Sequence, residues 1–192
     1  MQPQTIARRD DSVLVVVDEQ QRLAAAMARR VPVVAATVRV VRAAALLGIP
    51  MVVTRQYPKG LGDLEPELVE AIVAAQAAGA QVFRVDKLSF DCFGEPTFRE
   101  AVAASGRRQL VLAGMETHIC VTQTALAALR GGFDVHVAAD ACCSREHDHH
   151  ELAVARMRAA GAVVSVSESV MYEWAGEAGT DEFRELLGIV KE

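Results

Sequence analysis

Short runs of apolar residues alternate along the chain with longer stretches in which apolar residues recur every three or four positions. The short runs are rich in Val, Leu and Ile, as at Val13 to Val17, which is typical of strands buried on both faces of a sheet. The longer stretches predict amphipathic helices. Short runs predict strands at residues 13–17, 50–54, 81–85, 110–113, 133–138 and 162–166.

The helical stretches fill the intervals between these strands and several end at a glycine, which is a common helix terminator. Strands that alternate with helices predict a parallel sheet, and right-handed crossovers then cover both faces of it. The predicted fold class is therefore α/β, a three-layer α-β-α sandwich with a six-stranded, mostly parallel, doubly wound sheet. The predicted helices span residues 33–47, 64–78, 95–104, 117–129, 149–160, 169–175 and 181–187.

Composition narrows the class of protein. A chain of 192 residues with 52% hydrophobic and 23% charged residues is typical of a folded protein, and we expect residues 1–192 to form a single domain. The net charge of −5 argues against nucleic-acid binding. No apolar run is long enough for a membrane span and no signal-peptide core precedes Asp11. We therefore expect a cytoplasmic protein with reduced cysteines.

Polar residues stand just beyond the ends of the predicted strands. Asp18 follows the first strand, Lys87 follows the third, and Cys120 follows the fourth at the start of a helix, while Arg55 and Asp140 follow two others. Ligands bind beyond the carboxyl ends of strands in open α/β sheets. We therefore expect Asp18, Lys87 and Cys120 to share one cleft.

The segment around Cys120 carries the clearest chemistry. Gly114 breaks the fourth strand, and Thr117 is a candidate cap for the helix whose first turn holds Cys120. A helix start and a nearby Lys87 predict a thiol pKa below the free value of about 8.5. With Asp18 as a proton shuttle, these residues indicate a cysteine hydrolase. Plainer alternatives stay open, namely a buried apolar cysteine, a helix-capping aspartate and a solvated surface lysine.

Three segments taken together resemble the isochorismatase-like cysteine hydrolases, and the resemblance extends over nearly the whole chain. These segments are Val15-Val-Val-Asp18-Glu-Gln20, Val85-Asp-Lys87-Leu-Ser89-Phe90 and Gly114-Met-Glu-Thr117-His-Ile-Cys120-Val. Further matches at residues 54–62, 140–145 and 156–161 look most like the subgroup of isochorismatase domain-containing protein 2.

The resemblance implies a role for each matched position. It makes Cys120 the nucleophile, Asp18 the general base and acid, and Lys87 the residue that holds both charge and geometry. It also implies a cis peptide between Met115 and Glu116, which directs the N–H groups of Glu116 and Cys120 at an oxyanion. The resemblance implies cleavage of an amide-type C–N bond through a thioester.

The nicotinamidase branch of this family carries a histidine-containing metal site after the second strand, whereas residues 54–58 here contain no histidine. We therefore expect no metal and no cofactor. Isochorismatases proper cleave a vinyl ether without a thiol, so Cys120 argues against that activity. The Cys- and His-containing segment 142–150 lacks the paired spacing of a zinc site and predicts a polar loop that leads into a helix.

Further residues are candidates for the substrate pocket, although aromatic residues such as Phe93 and Trp174 are more often found in cores or interfaces. The candidates are Gln20, Arg55, Tyr57, Phe90, Phe93 and Trp174. Abundant apolar residues predict a homo-oligomer, a dimer or larger, with the Trp174 segment as a candidate contact. The alternative is that this segment packs against the sheet of its own chain.

These observations support a metal-independent cysteine hydrolase that acts on an amide-type bond of a small molecule. Two alternatives remain open at this stage. One is a hydrolase of a non-amide bond with the same three residues, and the other is a catalytically idle, oligomeric interaction protein of the same fold.

Overall fold

A sheet of parallel strands in the order β3-β2-β1-β4-β5-β6 forms the centre of the computed structural model, which describes residues 5–192. Every neighbouring pair of these strands is parallel, which confirms the predicted α/β fold with helices on both faces. The strands are β1 Ser12–Val17, β2 Met51–Gln56, β3 Val82–Lys87, β4 Gln109–Met115, β5 Asp134–Cys143 and β6 Val163–Ser165.

Helices connect the strands and account for most of the predicted helical segments. The first turn of the helix predicted over residues 117–129 is π-helical, at Thr117–Val121. Three other elements were not predicted, namely helices α1 and α3 and a 3₁₀ turn at Cys92–Gly94. Each is too short to show a helical period in the sequence. The helices are α1 Gln21–Ala24, α2 Arg30–Leu46, α3 Pro58–Leu61, α4 Pro66–Ala77, α5 Pro96–Ser105, α6 Thr122–Arg130, α7 His147–Ala159, α8 Ser167–Ala175 and α9 Asp181–Val190.

Alternate residues of β1 supply the two cores on either side of the sheet. Leu14 and Val16 pack with α2, α4, α8 and α9 on one face, whereas Val13, Val15 and Val17 pack with α5, α6 and α7 on the other. All five side chains are fully buried. The unbroken apolar run in the sequence therefore reflects a strand covered on both faces.

The strand order reverses between β1 and β4, which places the carboxyl ends of these two strands at the switch point of the sheet. Gly114 lies there beside Val17, with φ at 121°. A Cβ atom at Gly114 would stand 2.0 Å from the Val17 carbonyl oxygen. Only glycine fits this close approach of two strands.

Strand β5 runs further than the predicted residues 133–138. A shift in register after Leu112 lets it continue beside β4, so that Gly114 pairs with Cys142. Asp140 therefore lies within the strand and does not line the cleft. Its carboxylate accepts hydrogen bonds at 2.6 Å from the backbone N–H and the hydroxyl of Ser167, the first residue of α8.

The predictions for Trp174 are wrong. Its side chain is only 1% exposed and lies in the core formed with α2, α4 and α9. The indole N–H donates to Ser12 Oγ at 2.9 Å. Ser12 is at the amino end of β1, whereas Asp18 follows its carboxyl end. Trp174 therefore neither lines the cleft nor stands free to contact another subunit.

Among residues 5–192, no helix combines the length and the apolar character that crossing a membrane requires.

Candidate active site

The side chains of Asp18, Lys87 and Cys120 meet beyond the carboxyl ends of β1, β3 and β4. Lys87 Nζ lies 2.7 Å from Asp18 Oδ2, and both side chains are completely buried. The Cys120 thiol lies close enough to the same carboxylate for Asp18 to raise its pKa. Because β2 lies between β1 and β3, the long lysine side chain reaches across the end of β2 to make this contact.

Asp18 is held in place by its backbone and by β2. It directly follows β1 and has a positive φ of 52°, which is uncommon for a residue other than glycine and often marks a functional position. Thr54 Oγ1 donates to Asp18 Oδ1 at 2.6 Å. The plainer alternative of a helix cap does not hold, since the residue before α1 is Gln20 and no side chain caps that helix.

Lys87 is a buried cation and not a solvated surface lysine. Its ammonium donates to Gln56 Oε1 at 2.7 Å and to the Ser89 carbonyl at 3.2 Å, in addition to its contact with Asp18. Burial has the largest single effect on the pKa of Lys87 and lowers it, but the combined effects of Asp18, Cys92 and Cys120 raise it by more, so the net pKa is raised. The ammonium form is therefore the stable one.

The predicted lowering of the Cys120 pKa is wrong. Burial raises the pKa of this thiol, and the nearby Asp18 carboxylate raises it further, while Lys87 opposes both effects without cancelling them. The side chain is only 5% exposed. In this resting arrangement Cys120 is a neutral thiol near the Asp18 carboxylate.

The turn that carries Cys120 also differs from the prediction. Thr117 does not cap the helix, because its hydroxyl lies 2.9 Å from His150 Nδ1 and the residue before the turn is Glu116. The π-helical turn Thr117–Val121 leads into α6, and Thr122 Oγ1 donates to the Thr117 carbonyl at 2.6 Å. Single π-helical turns are frequent at functional sites.

The peptide bond before the turn that carries Cys120 has an unusual geometry. The Met115–Glu116 peptide bond is cis, at the position that the family resemblance implies. Within residues 5–192 the Glu116 N–H makes no hydrogen bond to another backbone group. The Glu116 carboxylate accepts from the backbone N–H of Arg145 at 3.0 Å and from Arg145 Nε at 3.1 Å, which fixes the segment.

The sequence analysis missed two residues of this site. Gln56 ends β2 and binds Lys87, although it entered the sequence analysis only as the place where a metal-binding histidine is absent. Cys92 is fully buried, and burial raises its thiol pKa to about 12 even though Lys87 lowers it. Its backbone N–H donates to Thr124 Oγ1 at 3.0 Å. No spacing in the sequence links Cys92 to Cys120, so only the fold reveals their proximity.

Four of the pocket candidates lie near the carboxyl ends of the strands, two with exposed side chains and two bound to other residues of the chain. Tyr57 and Phe90 are 51% and 55% exposed and flank Lys87, since the Tyr57 N–H donates to the Lys87 carbonyl and the Phe90 carbonyl lies 3.5 Å from Lys87 Nζ. Gln20 and Arg55 are already engaged. Gln20 Nε2 donates to the Gly62 carbonyl, and Arg55 pairs with Asp86 and Asp63.

Phe93 does not line the cleft. Its ring contacts Phe98 at 5.0 Å edge to face and Phe133 at 5.6 Å, so that it belongs to the core under α5 and α6. Within the described residues 5–192, no group of three or more His, Cys, Asp or Glu side chains is arranged to hold a metal ion. In the segment 142–150, Cys142 and Cys143 are buried in β5 and His150 binds Thr117.

Comparison with known proteins identifies the family. A model of the isochorismatase domain matches residues 12–169, which include Asp18, Lys87 and Cys120. The chain belongs to the isochorismatase family. Isochorismatase domain-containing protein 2 of Xenopus laevis is 36% identical over 160 residues, which are 83% of this chain and 74% of that protein. Isochorismatase-like proteins form a hydrolytic family.

Solved structures of this family share the whole fold. The MAR1 ribonuclease of Caenorhabditis elegans has 30% sequence identity and a TM-score of 0.86, covering 96% of this chain and 92% of that one. The YcaC protein of Escherichia coli, described as an octameric hydrolase of unknown specificity, has 25% identity and a TM-score of 0.83. That comparison covers 98% of this chain and 92% of the YcaC chain.

Proposed function

We propose that the protein is a cysteine hydrolase that cleaves an amide-type C–N bond of a small molecule, with Cys120 as nucleophile, Asp18 as acid and base, and Lys87 as the fixed positive charge. The observation that carries this proposal is the position of Asp18, which pairs with the Lys87 ammonium in a buried site and is near enough to the Cys120 thiol to raise its pKa. A single carboxylate close to a thiol and a cation is suited to move one proton.

The proposed reaction begins with the neutral thiol. Asp18 accepts the Cys120 proton as the sulfur attacks the carbonyl carbon, and Lys87 stabilises the charge that develops. The N–H groups of Glu116 and Cys120 are the proposed donors to the oxyanion. The Asp18 carboxyl then protonates the departing amine, which leaves a thioester on Cys120. Water, deprotonated by Asp18, hydrolyses the thioester and restores the thiol.

The raised pKa of Cys120 is compatible with this chemistry. A buried thiol that gives up its proton only as the carbonyl carbon approaches is protected from alkylation and oxidation between turnovers. The same burial limits the substrate to a small molecule that fits past Tyr57 and Phe90. A nucleic acid is a poorer fit because the chain carries a net charge of −5, although one structural relative is described as a ribonuclease.

The test is a panel of small primary and secondary amides, together with esters and a short RNA, assayed for hydrolysis and analysed by intact-protein mass spectrometry. We expect at least one amide to be hydrolysed and to leave an acyl adduct on Cys120. Cys120→Ser and Asp18→Asn should abolish the adduct, whereas Cys142→Ser, which changes a buried cysteine in β5, should keep it. Hydrolysis of esters or RNA alone would replace the amide proposal.

A catalytically idle interaction protein is the remaining alternative. It predicts neither hydrolysis of any member of the panel nor an acyl adduct on Cys120.

We further propose that the hydrolase is cytoplasmic and homo-oligomeric. The four buried free cysteines and the octameric YcaC relative support these two proposals.

A further inference from the structure

The contacts of Lys87 are complete without Cys120. An ammonium group has three N–H donors. Lys87 Nζ forms an ion pair with Asp18 Oδ2 at 2.7 Å and donates to Gln56 Oε1 at 2.7 Å, to the Ser89 carbonyl at 3.2 Å and to the Phe90 carbonyl at 3.5 Å. Since these oxygen atoms occupy the ammonium group, Lys87 acts on Cys120 through its charge, and the position of that charge depends on the acceptors other than Asp18.

Apart from Asp18, Gln56 is the acceptor that a side chain supplies, and its amide group is fixed at both ends. Its Oε1 accepts from Lys87, while its Nε2 donates to the Leu88 carbonyl at 2.7 Å. The reverse orientation of the amide would turn its NH₂ group toward the ammonium. The orientation is therefore determined by the contacts, and the side chain is only 9% exposed.

A second glutamine holds the backbone of the first. Gln20 Oε1 accepts from the Gln56 backbone N–H at 2.7 Å, and Gln20 Nε2 donates to the Gly62 carbonyl at 2.8 Å. The Gln20 backbone N–H in turn donates to the Asp18 carbonyl at 2.7 Å. The two glutamines thus join the ends of β1, β2 and β3 around the Asp18–Lys87 pair.

We propose that Gln56 is a positioning residue that fixes the Lys87 ammonium beside Asp18, with Gln20 holding Gln56 in register. This inference rests on the proposed function of Lys87. It adds that the acceptor at the end of β2 sets the charge felt by Cys120, and that Gln20 is a support of the site and not a substrate contact. Loss of the amide frees one ammonium donor and lets the charge move away from the thiol.

The direct test observes the lysine itself. The chain has only three lysines, and Lys59 and Lys191 are exposed. In protein labelled with nitrogen-15 lysine, the buried ammonium of Lys87 is expected to give a slowly exchanging NMR signal. Gln56→Met should broaden or abolish that signal. Gln109→Met is the matched control, since it removes a buried amide that binds Arg8 and Ile6 at the far edge of the sheet.

The second readout is the pH dependence of Cys120 alkylation by iodoacetamide, followed by intact mass. We expect Gln56→Met to react about tenfold more slowly at pH 7, the effect of a rise of about one unit in the thiol pKa. Gln109→Met should be alkylated at Cys120 at the same rate as the unmodified protein. Where Gln56→Met does not fold, Gln56→Asn serves the same purpose, because its shorter side chain withdraws the carbonyl from Lys87.

The outcomes separate this inference from the proposed function. If Lys87→Met slows alkylation but Gln56→Met or Gln56→Asn leaves both the profile and the lysine signal unchanged, the inference is overturned and the proposed function stands. If Lys87→Met itself leaves the profile unchanged, the proposed role of Lys87 fails, and the role of Gln56 fails with it. A loss of the lysine signal together with slower alkylation supports both.

Discussion

At the scale of single residues, Cys120 is governed by two opposite charges in a dry site. The Asp18 carboxylate and burial raise the thiol pKa, while the Lys87 ammonium lowers it. The sequence indicated the cation and the helix start, but neither burial nor the distance to Asp18 can be read from spacing. The prediction of a lowered pKa was therefore wrong although all three residues were named.

The two charges predict opposite effects of two substitutions. Asp18→Asn removes the negative charge, so the pKa of Cys120 should fall and iodoacetamide should alkylate it several-fold faster at pH 7. Lys87→Met removes the positive charge and should slow alkylation. The rates are measured by intact mass between pH 6 and 10. Equal rates in both variants would contradict the assignment of Asp18 as the group that holds the thiol proton.

Glu19 predicts a pH-dependent stability that is independent of the reaction. Its side chain is fully buried, Thr37 Oγ1 donates to it at 2.5 Å, and burial raises its pKa from 4.5 to about 8, with Glu65 adding to the rise. Between pH 4.5 and 8 the unfolded chain ionises at this position while the folded chain keeps its proton. The free energy of unfolding therefore falls as the pH rises through this window.

Glu19→Gln should remove this pH-dependent fall in the free energy of unfolding. We expect the variant to gain stability relative to the unmodified protein as the pH rises from 5 to 8, at about 1.4 kcal/mol for each pKa unit of the shift that it removes. Urea unfolding at pH 5, 6.5 and 8 measures the difference, with Glu70→Gln on the exposed face of α4 as the matched control. Parallel stability curves for Glu19→Gln and the unmodified protein would contradict the prediction.

At the scale of elements, periodicity predicted the strands and long helices, whereas elements of three or four residues were missed. The π-helical turn at Thr117–Val121 was predicted only as the start of a helix. Its sequence has the composition of a helix start, and the choice of turn depends on tertiary contacts such as Thr117 to His150. The extra length of β5 has the same kind of cause, because it depends on the register shift beside β4.

The approach of β1 to β4 predicts a strong effect at Gly114. Gly114→Ala would place a Cβ atom 2.0 Å from the Val17 carbonyl oxygen at a φ of 121°. We expect it to destabilise the protein by on the order of 4 kcal/mol or more, measured by urea unfolding. The matched control is Gly188→Ala in α9, where no atom lies within 4 Å of the added carbon.

The control should instead stabilise the protein by about 0.5–1 kcal/mol, since alanine is the better helix former. A Gly114→Ala variant as stable as the control would show that the two strands can separate at the switch point. The proposed site, which depends on the ends of these strands, would then lack the rigidity that we infer.

At the scale of the whole molecule, the sequence predicted which residues lie at the rim more reliably than what each of them contacts. The carboxyl ends of parallel strands lie at the same end of a sheet, so topology alone was enough to predict that Asp18, Lys87 and Cys120 lie close together. The partners of Gln56, Phe93 and Trp174 depend on side-chain packing between segments far apart in sequence. For that reason Gln56 was missed, and Phe93 and Trp174 were predicted to line the pocket although they pack in the cores.

The assembly prediction changes with the position of Trp174. We still expect a homo-oligomer, and light scattering at micromolar concentration should give a multiple of the 20.6 kDa chain mass. Because Trp174 is buried and donates to Ser12, Trp174→Phe should lower the melting temperature and leave the mass unchanged. A mass of 20.6 kDa for the unmodified protein would refute the oligomer. If a fully folded Trp174→Phe variant dissociated, α8 would again be the candidate interface.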